Sequence, residues 1–451
     1  MPGPARLNVA VVGSGISGLS AAWLLSKRHD VTLYEQADRI GGHSHTVTAQ
    51  FSGRSVPVDM GFIVFNRVTY PNLAALFDHL DIPTEATEMS FAASLDSGGF
   101  EYSGASLTGL LAQRRNLVRP RFWSMTTDLL RFYREATRDC TSAGFEHISL
   151  GDYLLAGGYG AAFRDDHLLP MASAIWSATP SEILAYPAAS FFRFHANHGL
   201  LQLKDRPVWE TVTGGSISYV HKLLAPFADR IRRNTAATGI LRLSGEVVIT
   251  DSNAALTSFD HVVIATHADQ ALRILRDPSP EELSLLRAFR YRSNLAVLHS
   301  DDSFMPRRKA AWASWNYVGS NEVSQEPGYF TYWMNRLQHI PEEAPLFVTL
   351  NPPREPTAGT THHSVVYEHP IFDLNAVAAQ KTLWELQGRH RTWFCGAYFG
   401  HGFHEDGLQA GLAVAEELGG VRRPWIAPNE SGRITLTRRT TPIDQHLGMT
   451  G

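Results

Sequence analysis

Apolar positions along the chain fall into short β-branched runs, helical periods and glycine turns. Asn8–Val12 (Asn-Val-Ala-Val-Val) reads as a parallel strand buried on both faces. Leu19 to Leu25 has helical spacing, and Val31 to Tyr34 is a second β-branched run. Phe259 to Thr266 is a further apolar strand. Residues 86–204 read as mainly helical. Residues 276–384 read as strands, at Leu295–Leu298, Tyr329–Met334 and Leu346–Leu350. Turn clusters at Asn351-Pro-Pro and Glu355-Pro-Thr-Ala-Gly359 punctuate the latter. No internal repeat stands out, and the stretch after Gly420 has weak periodicity. No apolar run reaches the ~18 residues of a membrane-spanning helix. The first residues lack the charge, apolar run and cleavage site of a secretory signal.

Composition bounds the function. A chain of 451 residues predicts two or three domains. Hydrophobic residues at 44% and charged residues at 19% supply a globular core. A net charge of −4 argues against a general polyanion binder, so nucleic acid is not an expected partner. Two cysteines, Cys140 and Cys395, give no disulfide framework and point to a reducing, cytoplasmic setting. No metal site is expected. Charge is unevenly spread. Residues 111–138 carry seven arginines against Asp128 and Glu135, interleaved with Phe122, Trp123, Met125, Phe132 and Tyr133. Such a stretch is either a solvated helix packed on its own domain or an interfacial segment for an anionic membrane.

The first forty residues carry the most specific chemistry. Gly13-Ser14-Gly15-Ile16-Ser17-Gly18 joins the first strand to the helix, and Glu35 closes the second strand, with Gln36 after it. Gly13 permits the tight turn, Gly15 lets backbone approach a pyrophosphate, and Gly18 lets the helix pack on the sheet. The helix start offers free N–H groups and partial positive charge to phosphates. Glu35 stands where a carboxylate accepts ribose hydroxyls. This context makes a dinucleotide site, without separating FAD from NAD.

Arg39-Ile-Gly41-Gly42-His43-Ser-His-Thr46 adds a second glycine approach to the same pyrophosphate. Here the chain resembles the flavin-containing amine oxidase and phytoene desaturase superfamily, whose second motif is RxGGxxxT. Val58-Asp59-Met60-Gly61-Phe62 resembles the next segment, which passes close to the flavin. Thr211 to Val220, with Gly214-Gly215, resembles the return into the FAD domain, and the strand ending at Thr266 resembles the one beside the cofactor. Gly396 to Gly411, with His404-Glu405-Asp406-Gly407-Leu408, resembles the C-terminal flavin motif. The resemblance implies non-covalent FAD and an α/β fold: a Rossmann-type FAD-binding domain interleaved with an α+β substrate domain. FAD segments are expected at 1–85, 205–275 and 385–420, substrate segments at 86–204 and 276–384, and a tail at 421–451.

A closer resemblance is carried by Gly61-Phe-Ile-Val-Phe-Asn66, Ala174-Ile-Trp-Ser177, Asn197-His-Gly-Leu-Leu201, Ser314-Trp-Asn-Tyr317, Tyr332-Trp-Met-Asn335 and Phe403-His-Glu-Asp-Gly407. These look like a bacterial subfamily of FAD oxidoreductases associated with membrane-lipid acyl chains, including desaturation toward furan fatty acids. The resemblance implies hydride transfer from a phospholipid acyl chain to flavin N5. Oxygen or a quinone would be the electron acceptor, and the enzyme would sit peripherally on the inner membrane face. Many amine oxidases of the superfamily place a lysine near N5; the corresponding position here is Asn294. His404, Tyr332, His198 and Asn294 are the candidate polar groups at the reacting centre, with His404 preferred as a base for its place in the flavin loop. Amine or polyamine oxidation is the alternative. A flavin-binding accessory subunit without chemistry is the second.

Overall fold

Asn8–Val12 is the central strand of a five-stranded parallel sheet in the order Ile231–Arg232, Asp30–Tyr34, Asn8–Val12, His261–Ile264, Thr392–Phe394. The structure, a computed structural model, describes residues 6–51, 53–139, 145, 147–176, 179–197, 201, 206–320 and 328–437. Val9, Ala10 and Val11 have no exposed surface, as a strand covered on both faces requires. Every residue of the following helix, Ile16–Leu25, is also buried. It lies between the sheet and a late helix, His404–Gly419. Two glycines of the late helix make this possible. A Cβ on Gly411 would lie 2.2 Å from the Ser17 carbonyl oxygen, and one on Gly407 would lie 2.7 Å from Ser17 Oγ.

A seven-stranded mixed sheet runs Thr361–Ile371, Arg290–His299, Phe347–Leu350, Tyr329–Trp333, Trp315–Gly319, Phe91–Leu95, Phe100–Ser103. Its strands pair antiparallel except Phe91–Leu95 on Trp315–Gly319. The expected strands of 276–384 are all in it. The stretch expected to be mainly helical adds the hairpin 91–103 before its helices begin. One apolar cluster surrounds the parallel sheet and takes in Phe132, Phe163, Phe191 and Phe192 of the helical stretch. A second cluster joins the mixed sheet to Ile63, Phe122 and Met125. Most of the aromatic residues are thus ordinary core.

The arginine-rich stretch contains the amphipathic helix Pro120–Asp139. Phe122, Met125, Phe132 and Tyr133 are buried in the protein's own cores. Trp123 and Leu130 stay about half exposed. Among the described residues no helix is long and apolar enough to cross a membrane.

Candidate active site

The glycine turn separates into two structural roles. Gly13 has φ +102°, and a Cβ there would meet the Ala265 carbonyl oxygen at 2.8 Å. A Cβ on Gly18 would lie 1.9 Å from the Gly13 carbonyl oxygen. Packing alone demands glycine at both. At Gly15 a Cβ would meet nothing within 4 Å. Its missing side chain faces open space at the start of a helix with no side-chain cap, where first-turn N–H groups are free. The second glycine loop closes on the first: Gly42, at φ +58°, would put a Cβ 2.9 Å from Gly15 Cα. Arg39 Nη1 donates to the Gly42 carbonyl at 2.6 Å, and Gly41 N–H donates to Ser14 Oγ at 3.2 Å.

Glu35 also orders this loop. Its Oε2 accepts the Ser14 N–H at 3.1 Å and the Ser14 hydroxyl, while Oε1 accepts the Ala37 N–H at 2.9 Å. The ribose role expected for it would fall to the remaining lone pairs. Gln36 is exposed on the rim, and Ile16 and Ser17 are buried. His43 Nε2 is sealed from solvent without a partner. The open cradle at Gly15 and the orphaned nitrogen at His43 are what a bound dinucleotide would complete, so the residues present fit FAD.

Asp59 ties the site together. Its carboxylate accepts from Thr46 Oγ1 (2.5 Å), the Ser216 N–H (3.0 Å), Ser216 Oγ (2.7 Å) and Gln338 Nε2 (3.0 Å). Gln338 Oε1 takes the Asp59 N–H in return. The second glycine motif, the Gly214-Gly215 return and the start of the segment after Trp333 therefore share one carboxylate. Burial raises its pKa while the hydrogen bonds from Thr46 and Ser216 oppose the rise. Two residues on, a Cβ at Gly61 would lie 2.3 Å from the His43 carbonyl oxygen.

His404 stacks on Phe62 with ring centroids 3.9 Å apart. Its Nε2 lies 2.9 Å from both Ser44 Oγ and Tyr219 OH, which also bond each other. Burial pushes its pKa down to about 3. At neutral pH it is an uncharged hydrogen-bonding platform, and the expected preference for it as a base is not what this geometry favours. Glu405 turns away and serves the scaffold. Its two oxygens accept from the N–H groups of Asn72 and Leu73, Asn72 Nδ2 and Gln409 Nε2, holding the start of the helix Pro71–His79. Asp406 caps its own helix through the Phe403 N–H at 2.8 Å and faces Arg433. Gly407 is the contact with Ser17, and Leu408 is core. Gly396 follows the last parallel strand, beside the Tyr398 ring. Cys395 is fully buried, its thiol pushed up by burial, a small core residue.

Asn294 is fully buried in a chain of amides whose orientations can be derived. The Leu295 N–H donates to Asn351 Oδ1 at 2.9 Å, which fixes that amide. Asn351 Nδ2 then donates to Asn294 Oδ1 at 2.8 Å. Asn294 Nδ2 consequently donates to His369 Nδ1 at 2.9 Å. His369 must accept at Nδ1 and carry its proton on Nε2. Burial lowers its pKa to about 4, so it is neutral. Its ring lies 5.4 Å from His43, which stacks on Tyr367. Thr266 Oγ1 donates to the His267 carbonyl. Tyr332 is buried edge-on to Trp315 in the second cluster. His198 lies outside the described residues. Sequence reasoning missed Ser44, Tyr219, Ser216, Gln338 and His369. Ser44, Ser216 and Tyr219 sit inside quoted motifs; His369 carries no local signal.

A parallel dinucleotide sheet, two converging glycine loops and a second mixed sheet define a flavin-dependent oxidoreductase. The chain belongs to the flavin containing amine oxidoreductase family, whose model matches residues 16–367, and its cofactor is FAD. It is 27% identical over 340 residues to the "Putative flavin-containing monoamine oxidase AofH" of Mycobacterium tuberculosis, covering 73% of this chain and 71% of that protein. Among solved structures it is similar to putrescine oxidase bound to putrescine (TM-score 0.66, 15% identity, 92% of this chain and 99% of that one). Cyclohexylamine oxidase from Brevibacterium oxydans IH-35A gives TM-score 0.64 at 16% identity, covering 92% and 100%. A CLA-producing fatty acid isomerase from P. acnes gives 0.64 at 16%, covering 91% and 98%. At these identities the solved structures show the shared fold alone.

Proposed function

We propose that this oxidoreductase acts on an uncharged apolar substrate, an unsaturated or methyl-branched acyl chain of a membrane phospholipid, and desaturates it. The observation that carries the reading is that the histidines of the site are uncharged and the carboxylates beside them are already engaged within the protein. Burial keeps His404, His369 and His43 uncharged. The carboxylates of Asp59, Glu405 and Asp406 are already engaged by donors of the protein itself. Glu368 projects from the opposite face of its strand to Tyr367 and His369. An ammonium brought among these groups would lose its hydration without gaining a free counter-charge. Asn294 stands in place of the lysine and adds no charge.

Bound FAD supplies the hydride acceptor at N5. The protein's part is to position the chain and exclude water. The Phe62–His404 stack offers a flat, neutral surface, and the Asn294–His369 pair holds an N–H donor in one tautomer. Allylic hydride loss leaves a proton that a weak base or water can take. Reoxidation would fall to oxygen or a quinone.

Amine oxidation is the second reading, favoured by the names of AofH, putrescine oxidase and cyclohexylamine oxidase. Anaerobic mixing of holoenzyme with dispersed phospholipids or with polyamines, followed by flavin bleaching, separates the two. Bleaching by unsaturated or methyl-branched phospholipids alone is expected. Bleaching by polyamines alone would replace the proposal with the second reading, and bleaching by neither would favour an accessory role.

A further inference from the structure

We propose that the turn 114–119 and the first turn of the helix Pro120–Asp139 form a docking face for an anionic phospholipid bilayer. This deepens the lipid reading and is tested apart from it. Single exposed apolar side chains are normal, but a cluster marks an interface. Here Leu117 is 50% exposed, Val118 82% and Trp123 50%. Trp123 Nε1 donates to the Leu117 carbonyl at 2.9 Å, so the indole is pinned over the turn. The neighbouring Phe122 and Met125 point the other way, into the cluster that holds Ile63 and Tyr332. One helix start thus presents apolar groups both to solvent and to the core beside the proposed site.

The charges sort in the same direction. Arg121 is bonded through two nitrogens to the buried Asp166, and Arg131 and Arg138 pair with Asp128 and Asp139. These three cations are compensated within the protein. Arg114, Arg115 and Arg119 have no carboxylate partner among the described residues. Arg115 and Arg119 both donate to the Gly99 carbonyl, which holds two like charges side by side. Arg134, exposed farther along the helix, is the seventh, so three of the four cations without a carboxylate partner among the described residues collect beside Leu117 and Val118, on a chain whose net charge is −4. Cations flanking projecting aliphatic and indole groups match headgroups over acyl chains. A nucleic acid offers its phosphates but no medium for Leu117 and Val118.

Sedimentation of holoenzyme with phosphatidylcholine vesicles, with or without phosphatidylglycerol, tests the assignment. Binding is expected only with phosphatidylglycerol and should fall as salt rises. The triple variant R114A/R115A/R119A should bind roughly a hundred-fold more weakly. Brominated acyl chains should quench tryptophan emission in the wild type and markedly less in Trp123→Phe. Undiminished binding by the triple variant, or quenching unaltered in Trp123→Phe, overturns the proposal, as does retention on heparin with no vesicle binding. The substrate reading is scored separately with monomeric short-chain phospholipid. The triple variant should keep wild-type bleaching there. Vesicle binding by an enzyme that no phospholipid bleaches would remove the substrate and leave the docking face standing.

Discussion

At the scale of single residues, one motif mixes requirements of packing with requirements of binding. Gly15→Ala places its methyl in open space and Gly18→Ala places it against backbone. The first variant should unfold like the wild type when stripped of FAD, yet hold FAD on the order of ten-fold more weakly. The second should lose stability in the apo state, by about 1–3 kcal/mol or more. Equal melting and equal FAD retention in both would refute the division. The amide chain gives a second test. Asn294→Asp replaces a donor to His369 Nδ1 with an acceptor, so the imidazole proton should move to Nδ1 and the titration of His369 should rise from about 4. Imidazole nitrogen chemical shifts report both changes, and an unaltered tautomer would count against the orientation derived from the Leu295 N–H. These roles were only half legible in the sequence. Glu35 and Gly15 announce themselves by spacing. Glu405 does not, because its partners Asn72 and Leu73 lie over three hundred residues away.

At the scale of elements, the closest demand is the crossing of Ile16–Leu25 and His404–Gly419. Gly411→Ala would push a methyl onto the Ser17 carbonyl, and helices cannot separate there without uncovering the sheet. Overpacking of this kind costs roughly 1–3 kcal/mol. Thermal unfolding should show the loss together with weaker FAD retention; an unchanged melting point would mean the crossing is looser than it stands. The strand–turn–helix unit and the late glycine helix were readable because turn chemistry and apolar spacing are local. The hairpin 91–103 was not, although Asp96-Ser97-Gly98-Gly99 is a turn signal. Phe91–Leu95 carries no alternation, and Phe100–Ser103 alternates over only four residues, too short a run to stand out between helical patterns. The Asp59 junction escaped for a different reason: hydrogen bonds between residues 46, 59, 216 and 338 leave no periodic trace.

At the scale of the whole molecule, buried neutral histidines set the response to acid. Burial holds His195 and His404 at about 3 and His45, His167 and His369 at about 4, against 6.5 when unfolded. Between these limits the unfolded chain binds more protons, so this stabilisation is complete above pH 6.5 and is lost as pH falls toward 4. Each histidine contributes up to about 1.4 kcal/mol per pH unit in that window. Asp59 and Glu405, raised by burial, act in the opposite sense and are outnumbered. Melting temperature followed against pH should drop steeply through the window, and a flat profile would contradict neutral burial. The helix crossing also has a consequence in time. The helix that covers Ile16–Leu25 is made some 380 residues after it. At a synthesis rate of about 5–20 residues per second, the outer face of Ile16–Leu25 waits on the order of 20–80 s for a partner. The pyrophosphate cradle is thus finished long after its own glycine turn is made, and a nascent chain stalled before residue 404 carries its whole dinucleotide motif with one side unsealed.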